Sequence, residues 1–239
     1  MLRGAQSVNG SACVDELYNV VVTARRQTAG RGRGGSVFIS PGGDSIYVSF
    51  ILKLPENPAT QRITAFAALA VCLALEKTTL YRPDIKWIND VLVDGRKVCG
   101  ILAEAGAHAV VLGIGVNINI DKKDLPDELL ETAGVLCMGE KTRAKFFDAL
   151  VEEVFRCTAI SGDTFMDEYR ARSILIGKPI ALFRRQSPED AGSAAVLKDV
   201  KSTSAFCEGI ANDGALIVRY EDGSVEELRT SDVSVRLAI

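Results

Sequence analysis

Residues 25–35, Arg-Arg-Gln-Thr-Ala-Gly-Arg-Gly-Arg-Gly-Gly, constrain this chain more than any other stretch. The glycines rule out a helix or a continuous strand, and four arginines stand there without one acid among them. Guanidinium forks bind phosphate or carboxylate through paired hydrogen bonds, while a glycine backbone can wrap a ligand with its N–H groups. Residues 19–24 (NVVVTA) read as a buried strand, so a strand runs straight into an anion-seeking loop. The chain as a whole is acidic, with 28 Lys+Arg against 31 Asp+Glu and a net charge of -3. The arginine cluster is therefore a local device and not part of a broad polyanion-binding surface. No Gly-Lys-Ser/Thr closes the loop as in a P-loop, and the strand-loop-helix setting of a dinucleotide fold is missing. On composition alone, a solvated Arg/Gly loop or an RNA-binding tract explains the segment equally well.

The hydrophobic pattern divides the chain in two. Residues 45–52 alternate, with Ile46, Val48, Phe50 and Leu52 on one face, as in a half-buried strand with an antiparallel neighbour. Residues 58–77 carry Ile63, Phe66, Ala67, Ala70, Val71, Ala74 and Leu75 at helical spacing, which predicts the central core helix. Short strands are expected at 85–87, 91–93, 97–104 and 109–118, with Asp94-Gly95 as a hairpin turn. Helices are expected at 143–155, with Phe147, Leu150, Val151, Val154 and Phe155 inward, and at 164–172. From Gly177 only short strands remain, punctuated by Asp213-Gly214 and Asp222-Gly223, the pattern of a small β-barrel. The expected division is 1–174 for a larger α+β domain and 175–239 for the barrel, with 185–204 a polar excursion. A length of 239 residues accommodates a medium domain plus a small one.

Six cysteines without a C-x-x-C pair, and a single His108, leave almost no zinc ligands and predict reduced thiols in a cytoplasmic protein. The start of the chain lacks an apolar signal-like core. The longest apolar run, 65–75, falls short of the ~18 residues needed to span a bilayer.

Three further clusters could carry chemistry. Lys86-Trp87-Ile88-Asn89-Asp90 puts a cation, an amide and a carboxylate at a strand end, although Asn and Asp are also ordinary turn residues. Lys97, just after the Asp94-Gly95 turn, can reach back toward the first loop, or can simply guard a sheet edge. In Gly113-Ile114-Gly115-Val116-Asn117 the small residues let something flat approach the strand; close packing of a glycine strand accounts for them nearly as well.

Taken in order, QTAGRGRGG, KWINDVLVDGRKVCGILAE, GIGVN and EYRARS ahead of a small barrel closely resemble the biotin-protein ligases, over residues 20–239. The resemblance implies an α+β fold: a mixed β-sheet flanked by helices, as in class II aminoacyl-tRNA synthetases, with a C-terminal SH3-like barrel. It also implies two half-reactions, in which biotin and MgATP give biotinyl-5'-adenylate and a lysine of a biotin carboxyl carrier domain then takes the biotin. By the same resemblance Gln27 bonds the biotin ring, and Gly30, Arg31, Gly32 and Arg33 form a loop closing over biotin and adenylate. Lys86 meets the α-phosphate, Asn89 and Asp90 the nucleotide and magnesium, Lys97 the biotin carboxylate or acyl phosphate, and Asn117 the adenine or its phosphates. Trp87 is a pocket wall. Catalysis is expected of Arg33, Lys86 and Lys97. Family members carry a Ser-Thr-Asn segment lining the biotin pocket, for which Ser7-Val8-Asn9 is the nearest candidate, with Val in the Thr position. Too few residues precede the first strand for the helix-turn-helix of some relatives, so no DNA partner is expected, and a sheet edge could support a homodimer. A lipoate ligase and a non-catalytic RNA or nucleotide binder are the rival readings.

The chemistry agrees with the first reading. A carboxylate attacking a phosphate brings two anions together, so a site for it must supply cations and geometry and has no need of a nucleophilic side chain.

Overall fold

The computed structural model describes residues 18–41, 43–53, 60–106, 109–159, 164–184, 202–229 and 233–238. Ser7, Asn9, His108 and nearly all of 185–204 lie outside the described residues. The chain runs β1 (Val20–Ala24), β2 (Ile46–Lys53), α1 (Thr60–Thr78), β3 (Pro83–Lys86), β4 (Asp90–Val93), β5 (Arg96–Ala105) and β6 (Ala109–Val116). It continues through α2 (Glu140–Ala159), α3 (Thr164–Ala171), β7 (Pro179–Arg184), β8 (Ser202–Ile210), β9 (Leu216–Arg219), β10 (Val225–Leu228) and β11 (Val233–Leu237). Six strands form one sheet in the order β1-β2-β6-β5-β4-β3, and five form a second in the order β10-β9-β8-β7-β11.

Alternation along the strands decides what each face of the larger sheet does. Val48, Phe50, Val110, Leu112, Ile114 and Val116 are buried under the helices, and Phe50 meets Phe155 of α2 edge-to-face. Tyr47, Ser49, Gly113 and Gly115 alternate with them and turn to the opposite face. The sheet is mixed less than expected: every strand ladder among the described residues is antiparallel. Parallel contacts are confined to the bridges Ile85–Ser173, Lys97–Ala133 and Ile118–Leu136. Hairpin-type connections dictate this, Asp94 and Gly95 both holding positive φ (51° and 73°) in the two-residue turn.

The strand at 19–24 exists, but among the described residues it is the sheet's edge and not fully buried: β1 pairs there with β2 alone, and Val22 is 51% exposed. A valine run looks the same in sequence whether or not a second strand covers it. One continuous buried cluster runs from this sheet through α1 to α3 into the second sheet. Trp87 Nε1 donates to the Gly214 carbonyl at 2.8 Å, and Arg170 Nε to that of Ile210 at 2.6 Å, fixing the β8–β9 turn beside the KWIND segment.

On α2 the buried face is centred one residue off the expected one. Phe146, Leu150, Val154 and Cys157 are buried, whereas Phe147, Val151 and Phe155 are partly so. Phe146→Ala should therefore cost about 3–5 kcal/mol and Phe147→Ala about 1–2, read as urea midpoints at constant slope. Equal losses would put the two rings in equivalent surroundings.

Glu153 completes that face, its side chain 0% exposed, hydrogen-bonded by Lys77 of α1 and by Arg156 Nε at 2.7 Å. Burial alone would raise its carboxyl, but the hydrogen bonds from Lys77 and Arg156 outweigh it and hold the carboxyl below the ordinary range. A folded-state pKa below the unfolded one gives stability that is complete above about pH 4.3 and is lost as pH falls through the folded value. Glu153→Gln should thus melt well below the parent at pH 7, and the gap in Tm should close on acidification below pH ~4. A gap independent of pH would remove the carboxylate as its source.

Candidate active site

Register assembles the site. Lys86 pairs with Asp90, Asp90 with Gly100, Gly100 with Gly115, Gly115 with Tyr47 and Tyr47 with Ala24, one row crossing all six strands. Paired residues share a face, so the row sets charge at one end, a trough of two glycines in the middle and an aromatic hydroxyl beyond. Above it lies a cavity of about 330 Å³, lined on the sheet side by Ser49, Gly100, Leu102, Gly113 and Gly115.

Lys97 reaches this face through an irregularity. Strict alternation along β5 would send it the same way as Cys99 and Ile101, toward the helices. The register instead slips between Val91 and Leu92, so that Val91 faces Cys99 while Leu92 faces Lys97. The bulge re-aims the side chain: Lys97 Nζ lies 2.6 Å from Asp90 Oδ1 and beside Gly100. With side chains only 38% and 19% exposed, this ion pair is sheltered. Lys86 is held below the ordinary lysine range, first by burial and then by repulsion from Lys97, Arg236 and Arg33, with Asp90 opposing.

The Gly/Arg loop folds over the charged end as a tight hairpin. Phe38 N donates to Gly30 O at 2.9 Å, Gly32 N to Ser36 O at 2.6 Å, and Arg31 bridges Val37. Gly30 is required by close approach, since a Cβ there would sit 2.3 Å from the Phe38 carbonyl oxygen. Arg33 Nη1 donates to Asn89 Oδ1 at 2.8 Å and its guanidinium lies 5.7 Å from the centre of the Trp87 ring. Asn89 in turn donates from Nδ2 to Ile101 O at 3.1 Å, so its amide spans loop and sheet. Arg31 pairs with Glu104 at 3.5 Å, but both are largely exposed and the pair contributes little.

Of the residues singled out in the sequence, Gln27, Arg31, Gly32, Arg33, Lys86, Trp87, Asn89, Asp90 and Lys97 line the cavity. Gly30 shapes the hairpin from behind. Asn117 is placed differently: its Nδ2 donates to Gly134 O at 3.1 Å, tethering the 132–136 segment to β5 and β6 instead of lining the cavity. Ser7 and Asn9 lie outside the described residues. Sequence reasoning missed Phe38, Ser49 and the β11 residues Val233, Ser234 and Val235, all of which line the cavity. An aromatic just after a glycine loop was a usable signal for Phe38; nothing local in VSVRL shows that β11 returns beside Lys86.

The buried thiols do not belong to this chemistry. Burial pushes Cys72 and Cys99 far above the ordinary thiol range, and among the described residues no three His, Cys, Asp or Glu side chains gather as a metal site.

Comparisons with known proteins agree on one family. Residues 15–121 match the model of the biotin/lipoate A/B protein ligase family. The biotin–[acetyl-CoA-carboxylase] ligase of Paracoccus denitrificans is 33% identical over 244 residues, spanning 93% of this chain and 90% of that one. The bifunctional ligase/repressor BirA of Bacillus subtilis (strain 168) is 31% identical over 225 residues, 90% of this chain. This chain spans 66% of that relative's length. The biotin protein ligase of Aquifex aeolicus, solved in complex with biotin and ATP, superposes with a TM-score of 0.73 over 92% of this chain and 90% of that one, at 23% identity, a likeness of fold. With near full-length similarity at this level, the chain belongs to the biotin-protein ligases, the biotin branch of that wider family.

Proposed function

We infer that the chain joins biotin to a lysine of a biotin carboxyl carrier domain at the expense of ATP. The observation that carries this reading is the cross-strand row, whose glycine trough ends on Asp90 with Lys97 and Lys86 beside it. A flat bicyclic ring with a carboxylate tail suits that row, ring over the glycines and carboxylate toward Lys97. The carboxylate oxygen attacks the α-phosphorus of ATP, the bond to the β-phosphate oxygen breaks and pyrophosphate leaves with its electrons. The amine of the acceptor lysine then attacks the acyl carbon, AMP departs and the amide forms as the amine gives up its proton. Lys86, Lys97 and Arg33 hold the two anions together and take up developing charge, while the hairpin bearing Arg31 and Arg33 shuts out the water that would hydrolyse the mixed anhydride.

Magnesium bound to the triphosphate would supply charge neutralisation. One protein carboxylate suffices for such an ion, and Asp90 fits, lying in the cavity wall next to Lys97; Asn89, with both amide ends engaged, supports it from the side. Residues 1–174 are the catalytic part, related to the class II synthetase sheet. Residues 175–239 are assigned to an SH3-like barrel domain, whose described strands β7–β11 close the charged end through β11. The β1 edge, which pairs with β2 alone among the described residues, is where a second copy would pair.

Pyrophosphate release from MgATP, measured with biotin or lipoate and with or without a carrier domain, tests the reading. Release with biotin, followed by carrier labelling, is the expected result. Release with lipoate alone would move the chain to the sister activity, and none with either would overturn the reading.

A further inference from the structure

The trough is not open. Phe38 lies across it, so close that a Cβ on Gly100 would fall 2.8 Å from the Phe38 ring and one on Gly115 2.6 Å from it. The two glycines face each other across β5 and β6, and the ring fills the gap their missing side chains leave. It meets the Tyr47 ring edge-to-face, with centroids 6.4 Å apart and planes at 80°. The Tyr47 hydroxyl is buried and has no hydrogen-bond partner among the described residues. A buried unbonded hydroxyl is costly to keep, and it lies in the row that leads to the cations.

We propose that Phe38 is an internal occupant of the trough, which must leave the Gly100–Gly115 floor before the flat ring of the substrate can enter, and that Tyr47 then gives its hydroxyl to the polar edge of that ring. Two flat rings cannot share a floor on which one already makes van der Waals contact. The occupant is poised to move: Phe38 is half-buried, Val37 beside it is 65% exposed, and the hairpin turns through Gly34 and Gly35 at positive φ. The ends of the trough match the ends of the ligand, Tyr47 toward the polar edge of a fused ring and Lys97 toward a carboxylate. Phe38 thereby sets the rate of entry, and Tyr47 contributes to specificity. The inference rests on the reading of this cavity as the biotin site.

Trp87 is the only tryptophan of the chain and lines the cavity, so its fluorescence reports biotin entry in stopped flow. In the parent protein the observed rate should level off at high biotin, limited by departure of the ring. In Phe38→Ala it should rise linearly with biotin and be about tenfold faster or more, because the competent state no longer has to be reached first. Tyr47→Phe should keep the plateau and weaken biotin binding about 5- to 10-fold by calorimetry, the loss of one hydrogen bond. A linear parent rate, with Phe38→Ala binding more weakly and no faster, would make the ring a fixed wall and overturn the proposal. Unchanged affinity in Tyr47→Phe would remove the hydroxyl from it. If the parent binds no biotin in calorimetry, the functional reading fails and the proposal with it; if it binds biotin without these kinetics, the proposal alone fails.

Discussion

Lys97→Ala is expected to lower biotin-dependent pyrophosphate release by about 10²- to 10³-fold, the usual loss when one preorganised charge-stabilising donor is removed. The structure gives two reasons to expect an effect of that size. Lys97 is aimed by a β-bulge at the one point where the trough meets Asp90, with its ammonium 2.6 Å from the carboxylate. Without it, Asp90 stays in a sheltered place with Lys86 as its neighbour across the strands, and the incoming carboxylate and phosphate meet a carboxylate where they had met a cation. The double variant Lys97→Ala/Asp90→Asn should recover binding of biotin while remaining slow in pyrophosphate release, since it relieves the repulsion without restoring the cation. The check is single-turnover pyrophosphate release beside a calorimetric biotin titration. Release at the parental rate in Lys97→Ala would put this lysine outside the chemistry.

That example also shows where reading the sequence stops. Elements with a clean period were legible: the alternation at 45–52 became β2, the helical spacing at 58–77 became α1, and five C-terminal apolar runs became β7 to β11. The charged residues of the site were legible too, because loops and strand ends advertise them by type. What a local pattern cannot carry is register. Alternation taken literally points Lys97 at the helices, and only the slip between Val91 and Leu92 turns it over. Gly100 looks like an incidental small residue until it is seen opposite Gly115 with Phe38 lying on both. Asn117, a plausible nucleotide contact by type, is spent on a backbone carbonyl of a segment more than a dozen residues on. Burial at an edge fails for the same reason, since β1 has the residues of a covered strand but is only partly buried among the described residues.

Arg33→Gly should make the protein release biotinyl-adenylate about 10- to 100-fold faster and label bystander proteins. Arg33 is a tether between the hairpin and the sheet: Nη1 bonds Asn89, whose own Nδ2 holds Ile101 of β5, and the guanidinium stands over the Trp87 ring. A charged hydrogen bond is worth about 1.5–3 kcal/mol and a part-sheltered cation–π contact about 0.5–2. Losing even half of their sum accounts for one to two decades in release rate. Glycine adds to the effect, joining Gly32 to Gly34 and Gly35 in a run of four glycines, two of which already sit at positive φ, so the hairpin has less reason to stay closed. The mixed anhydride then reaches solvent, where any lysine amine can attack it and carrier specificity is lost. Rapid dilution of enzyme-bound radiolabelled adenylate, with serum albumin as bystander, measures both consequences. Faster loss together with albumin labelling is expected, whereas retention at the parental rate would mean that the cavity, floored by the glycines and walled by β11, holds the intermediate without the tether.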